Sequence, residues 1–170
     1  MSENEPDEKE VKIKFNFAES GKIVFDKAVD ILTTNRDMTI IRPELFLPGI
    51  ALDEKALLAL QFQGITGKML KVAVYNLIRP APKPPEEQKT IAAPLTRLSF
   101  TAINSLKFAE EWAALEGRGI EALDILGGIC YECHNDGAKI LEGLGFNWNA
   151  YEAQQSSIDV FVEESKQLQV

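Results

Sequence analysis

A chain of 170 residues with 45% hydrophobic and 26% charged positions has apolar material for one or two modest cores and belongs to the globular class. Its formal net charge of -8 opposes binding to nucleic acid or to an anionic membrane, because both surfaces repel it. No run approaches the ~20 apolar residues of a membrane span, the N-terminus lacks the basic-then-apolar order of a secretory signal, and cysteines as close as Cys130 and Cys133 cannot staple distant segments. These bounds describe a cytoplasmic protein, stabilised by its core, that suits a basic or polar protein partner.

In chain order, Ser2 to Glu10 holds five acidic residues and one basic one, too polar to bury anything, and reads as a disordered tail. Val11, Ile13, Phe15 and Phe17 alternate with polar residues, a period of two that allows one short edge strand. From Ser20, an N-cap candidate, the period lengthens: Ile23, Val24, Ala28, Ile31 and Leu32 share one face of a helix over about Gly21 to Thr33. Pro43 and Pro48 bracket a short helix at Glu44-Leu45-Phe46-Leu47. Asp53 starts a helix through Phe62 that ends at Gly64, and another runs from Lys68 to Leu77. Five of the eight prolines, Pro80, Pro82, Pro84, Pro85 and Pro94, then fall in one polar stretch where neither helix nor central strand continues. Arg79 to Pro94 reads as a linker. Beyond it the spacing predicts helices over Leu98 to Leu115, Ile120 to Cys130 and Asp136 to Leu144, the last stopped by Gly145. Trp148 to Gln167 reads as helical, although Ser157 to Val162 alternates enough for a strand.

The two halves match. Phe25-Asp-Lys-Ala28 lies over Leu106-Lys-Phe-Ala109, Pro48-Gly-Ile50 over Gly127-Gly-Ile129, and Leu60 to Ile65 over Leu141 to Phe146, with shifts of 81, 79 and 81. A shift that stays near eighty while apolar residues fall on apolar residues points to a duplicated unit, with the proline stretch between the copies.

These residues resemble the N-terminal repeat domain of Clp-type AAA+ chaperones, a family that includes stand-alone accessory proteins without ATPase modules. Phe100 to Ala113 is similar to that family's first helix, Asp124 to Glu132 to its apolar second helix, and Ala138 to Phe146 to its closing "iLxxLGv" signature. In the first half, Pro43 to Leu47 stands where the family has Thr-Glu-His-hydrophobic-Leu, and Leu60 to Ile65 is a degraded closing signature. The resemblance covers about Ser20 to Gln155. It implies an all-α double Clp repeat: two pseudo-symmetric four-helix units over residues 20–78 and 98–155, an extended N-terminal piece through residue 19, a linker over 79–97 and a C-terminal segment over 156–170. It also implies a non-catalytic protein- or peptide-binding role, as adaptor or accessory to a chaperone-protease, with no cofactor.

In members that read phosphoarginine tags, a Glu in each repeat holds the guanidinium, which suits the bidentate geometry of a carboxylate. Glu44 occupies that place in the first repeat. In the second the aligned residue is Leu123, with Asp124 beside it and Glu121 two residues earlier, so Glu44, Asp124 and Glu121 are the candidate tag-binding residues. A carboxylate in the first turn of a short helix also has sufficient reason in the helix dipole. Leu45, Phe46 and Pro48 are candidates for an exposed apolar docking patch, and equally for core.

Two strings resemble catalytic or cofactor motifs. Gly64-Ile-Thr-Gly67-Lys68-Met69 has two residues between its glycines where a phosphate loop needs four, and Met69 where magnesium needs a hydroxyl, so it reads as a helix end and a turn. Cys130-Tyr-Glu-Cys133-His134 matches the attachment string of c-type haem and supplies three ligands toward a metal. Covalent haem attachment belongs to exported compartments, and a distal ligand would have to come from Met1, Met38 or Met69. A small haem, metal or redox protein using Cys130, Cys133 and His134 is therefore the rival class. The single His already sits beside two cysteines, so no Ser-His-Asp arrangement is available and the chain is not expected to be an enzyme.

Overall fold

The structure is a computed structural model that describes residues 14–35, 38–78 and 97–155. α1 (Glu19–Thr34) forms because Val24, Ala28, Ile31 and Leu32 recur at helical spacing, and all four are buried. Asn35 ends it, donating its side-chain amide back to Ile31 O at 2.7 Å. A 3₁₀ turn (Pro43–Phe46) opens with proline at its first position and runs directly into the short α2 (Leu47–Ile50). Every residue from Pro43 to Ile50 is buried, so this segment is the centre of the first unit. α3 (Glu54–Gln61) is capped by Asp53, which accepts from Ala56 N–H at 2.9 Å, and α4 (Gly67–Ile78) follows after a turn.

The second unit repeats this order with α5 (Phe100–Leu115), α6 (Ala122–Glu132), α7 (Asp136–Gly143) and α8 (148–155). Ser99 caps α5 and Asn135 caps α7 through side-chain oxygens, at 3.1 Å and 2.7 Å. α6 buries Ile125, Leu126 and Ile129 completely, as α2 buries Leu47 and Ile50. Each such side chain contributes ~1.5–3 kcal/mol of transfer energy, and the two apolar helices form one continuous core.

A pseudo-twofold relates the units, and backbone hydrogen bonds show it directly. Ile41 N–H donates to Arg97 O at 2.8 Å and Ser99 N–H donates to Ile41 O at 2.8 Å; Ile120 N–H donates to Asn16 O at 2.8 Å and Ala18 N–H to Ile120 O at 2.9 Å. The residue before the second helix of each unit thus pairs with the strap before the first helix of the other. Shifting Asn16 and Ala18 by 81 gives Arg97 and Ser99, and shifting Ile41 by 79 gives Ile120, the same shifts that the sequence shows. The closing turns agree: Ile65 N–H donates to Leu60 O at 3.0 Å and Phe146 N–H to Leu141 O at 2.8 Å, while Gly64 and Gly145 adopt left-handed φ of 84° and 97°.

Several expectations need correction. Among the described residues there is no strand: the N-terminal strap makes one isolated bridge, Phe17 to Ile120, because Phe15 and Phe17 pack on the core instead of joining a ladder. Ser20 is not the cap of α1. Ala18 holds that place, and the Ser20 hydroxyl accepts from Ala122 N–H at 3.0 Å, tying α1 to the start of α6. The acidic tail, the residues of the Arg79 to Pro94 linker and residues 156–170, including the Ser157 to Val162 alternation, lie outside the described residues.

Candidate functional site

Glu44 is the second residue of the 3₁₀ turn, held there by the fixed φ of Pro43 and by burial of its neighbours Leu45 and Phe46. Although it is a carboxylate, it is only 5% exposed. It lines a cleft of about 320 Å³ together with Met38, Thr39, Arg42 and the end of α4 at Leu77 and Ile78. Asp136, at the first turn of α7, brings a carboxylate from the second unit to the same cleft. α7 reaches so close because Gly137 has no side chain: a Cβ there would stand 3.2 Å from Glu44 N. Burial raises the pKa of Glu44 above its ordinary 4.5; its own backbone N–H opposes the shift, Asp136 adds to it and Arg42 draws it down. Among the described residues no cation forms an ion pair with Glu44. A desolvated carboxylate beside a second carboxylate, at the wall of an open cleft, is an arrangement that a cationic group from outside would stabilise.

Asp124 and Glu121 come together elsewhere, and neither lines this cleft. Asp124 Oδ2 accepts from Glu121 N–H at 2.8 Å, closing the first turn of α6. Arg118 grips the same carboxylate through both ends of its guanidinium, with Nη2 to Oδ1 at 3.2 Å, and reaches Glu116 at 2.7 Å and Glu121 at 3.9 Å. Hydrogen bonding to Asp124 raises the pKa of Arg118 further above its already high value. The two carboxylates do surround a guanidinium, and it is the chain's own. Leu45, Phe46 and Pro48 are buried, which selects the core alternative over the exposed patch: they are the core on which Glu44 is mounted.

The Cys130 to His134 string ends α6. Cys130 is half-buried, and burial pushes its thiol up to about 12; Cys133 is exposed with a left-handed φ of 59° at the helix end. Both line a cleft of about 640 Å³ with Tyr131, Phe146 and Trp148, but His134 does not, so the three residues of the string do not converge on one site. Among the described residues no three His, Cys, Asp or Glu side chains are grouped to hold a metal ion. Among the same residues no helix is long and apolar enough to cross a membrane.

Sequence reasoning missed Asp136, Arg42 and Arg118. Asp136 carries the signature of a helix first turn and nothing more, and only the approach of α7 makes it a neighbour of Glu44. Arg118 offers one weak signal, a guanidinium six residues before Asp124 with Glu121 between.

The geometry matches known structures. The chain is similar to the N-terminal domain of the caseinolytic protease associated chaperone ClpD from Arabidopsis thaliana, at 17% identity over 84% of this chain and 94% of that one, with a TM-score of 0.60. It is similar as well to a chain from preliminary structural investigations of a malarial protein secretion system, at 12% identity over 84% of this chain and 93% of that one, with a TM-score of 0.63. No family model and no curated protein matches the sequence. The likeness establishes an all-helical, Clp N-domain-like fold.

Proposed function

We propose that this protein is a non-catalytic binding module that docks a basic side chain of a partner polypeptide between Glu44 and Asp136, as an accessory to a Clp-type chaperone-protease. The observation that carries the reading is Glu44: a carboxylate 5% exposed, at the wall of a cleft, with no cation of the described chain paired to it. Keeping such a group ionised costs folding free energy, and the cost is recovered when a guanidinium or ammonium docks. The fold likeness to the ClpD N-terminal domain supports the assignment to Clp-associated binding. Arg42, on the same cleft, supplies a cation for a phosphate, which makes a phosphoarginine side chain a natural second probe. The cleft brings together two carboxylates and a guanidinium, charged groups suited to holding a charged side chain.

Fluorescence polarisation with an arginine-containing peptide, the same peptide carrying citrulline, and a phosphoarginine peptide tests this. The charged peptides bind the wild type, while citrulline or Glu44→Gln weakens binding about 10- to 100-fold, the equivalent of ~1.5–3 kcal/mol for a charge-assisted hydrogen bond. Equal affinity for arginine and citrulline peptides would remove the cleft from consideration.

A further inference from the structure

We infer that the second unit contains the counterpart of the Glu44 cleft already filled by the chain's own Arg118, so that the protein offers one cation-accepting site and holds a second in a closed form. The pseudo-twofold carries Ile41 to Ile120, a shift of 79. The same shift carries Thr39, which lines the first cleft, to Arg118, and Glu44 and Leu45 to Leu123 and Asp124. In the first unit a short hydroxyl side chain leaves the space open in front of a buried carboxylate. In the second, a guanidinium stands at the position of Thr39, and the carboxylate it meets has moved one residue along, from the place of Glu44 to the next.

The details of that contact describe a filled ligand site. Arg118 is 29% exposed at its side chain and Asp124 10%, so the carboxylate is shielded from water and the guanidinium only partly so. Both guanidinium ends engage Asp124, and Glu116 and Glu121 add carboxylates at 2.7 Å and 3.9 Å. Asp124 is oriented by the Glu121 N–H at 2.8 Å, so the receptor carboxylate is held by the helix start and does not depend on Arg118 for its position. A receptor held in this way persists when its occupant is removed, and a free guanidinium can take the vacated place.

The inference rests on the reading of the Glu44 cleft as a cation site, and the experiment separates the two. Titration calorimetry with arginine amide and thermal melting with methylguanidinium chloride are performed on wild type, Glu44→Gln, Arg118→Ala, Arg118→Lys and the double variant Glu44→Gln/Arg118→Ala. The expected stoichiometries are one, zero, two, one and one. Methylguanidinium is expected to raise the melting temperature of the double variant and to leave Glu44→Gln unmoved. If Arg118→Ala does not fold unaided, recovery of its helical circular dichroism on adding methylguanidinium is the readout. A double variant that binds nothing and is not stabilised overturns the inference, as does a wild type that binds two. A wild type that binds none while Arg118→Ala binds one sinks the Glu44 reading and leaves the Arg118 site standing.

Discussion

Gly128 lies against the backbone of Ser105 so closely that a Cβ at Gly128 would stand 2.1 Å from the Ser105 carbonyl oxygen, and Gly49 lies in the same way against Val24, 2.7 Å from its Cα. Shifts of 79 and 81 interchange the two pairs, so each unit uses one glycine to let its second helix touch its first. Gly128→Ala is expected to cost roughly 3 kcal/mol, because the obstacle is backbone and cannot rotate away. Gly49→Ala costs somewhat less. Gly143, which has nothing within 4 Å of an added Cβ, is the control: Gly143→Ala stabilises by ~0.5 kcal/mol through the lost flexibility of the unfolded chain. Urea denaturation followed by circular dichroism ranks the three.

Glu44 sets a pH dependence. Its pKa is raised in the folded state by burial, so the folded chain binds that proton more firmly than the unfolded chain does. Stability from this group is therefore fully present below its ordinary 4.5 and is lost as pH rises through the folded value. Glu44→Gln removes the loss: it exceeds the wild type in stability at pH 7, and the gain shrinks as pH falls toward 4.5. Urea midpoints across that range measure the effect, and a variant less stable at neutral pH would show that the carboxylate has an internal partner.

The two thiols differ in reactivity. Burial pushes Cys130 up to about 12, which leaves almost no thiolate at pH 8, while Cys133 is exposed. Ellman's reagent is expected to titrate Cys133 promptly in the native protein and Cys130 only after denaturation. Simultaneous reaction of both would contradict the burial of Cys130.

Trp148 stacks on Trp112 with ring centroids 6.2 Å apart and planes 14° from parallel, and its six-membered ring covers Gly127. Trp148→Phe is expected to weaken the near-ultraviolet circular dichroism, because coupling between the indoles ends while the edge contact of Trp112 with Tyr131 remains. Trp148→Ala costs on the order of 2 kcal/mol, less than a fully buried aromatic, since the side chain is half-buried.

The second unit illustrates how far a local pattern reaches. The approximate bounds of α5, the Asp136 start of α7 and the Gly145 stop follow from period and caps, which depend on neighbours a few residues apart. The burial of Leu45, Phe46 and Pro48 could not be read in this way, because an apolar run looks the same whether it faces a core or a partner. Ser20 shows the same limit: a serine before an apolar stripe suits a cap, yet its hydroxyl serves Ala122 across the molecule.

Period and caps by themselves placed most of the helices and the shift near eighty pointed to a duplicated unit, since hydrophobic spacing depends on near neighbours, while the all-α double repeat was what the family resemblance implied. Only the tertiary structure decided which charges meet. Glu44 joins Asp136 because α7 packs on the turn of the other unit, and Asp124 is taken by Arg118 because a loop folds back on its own helix. Such pairings depend on the relative placement of elements far apart along the chain, and no local periodicity carries that information.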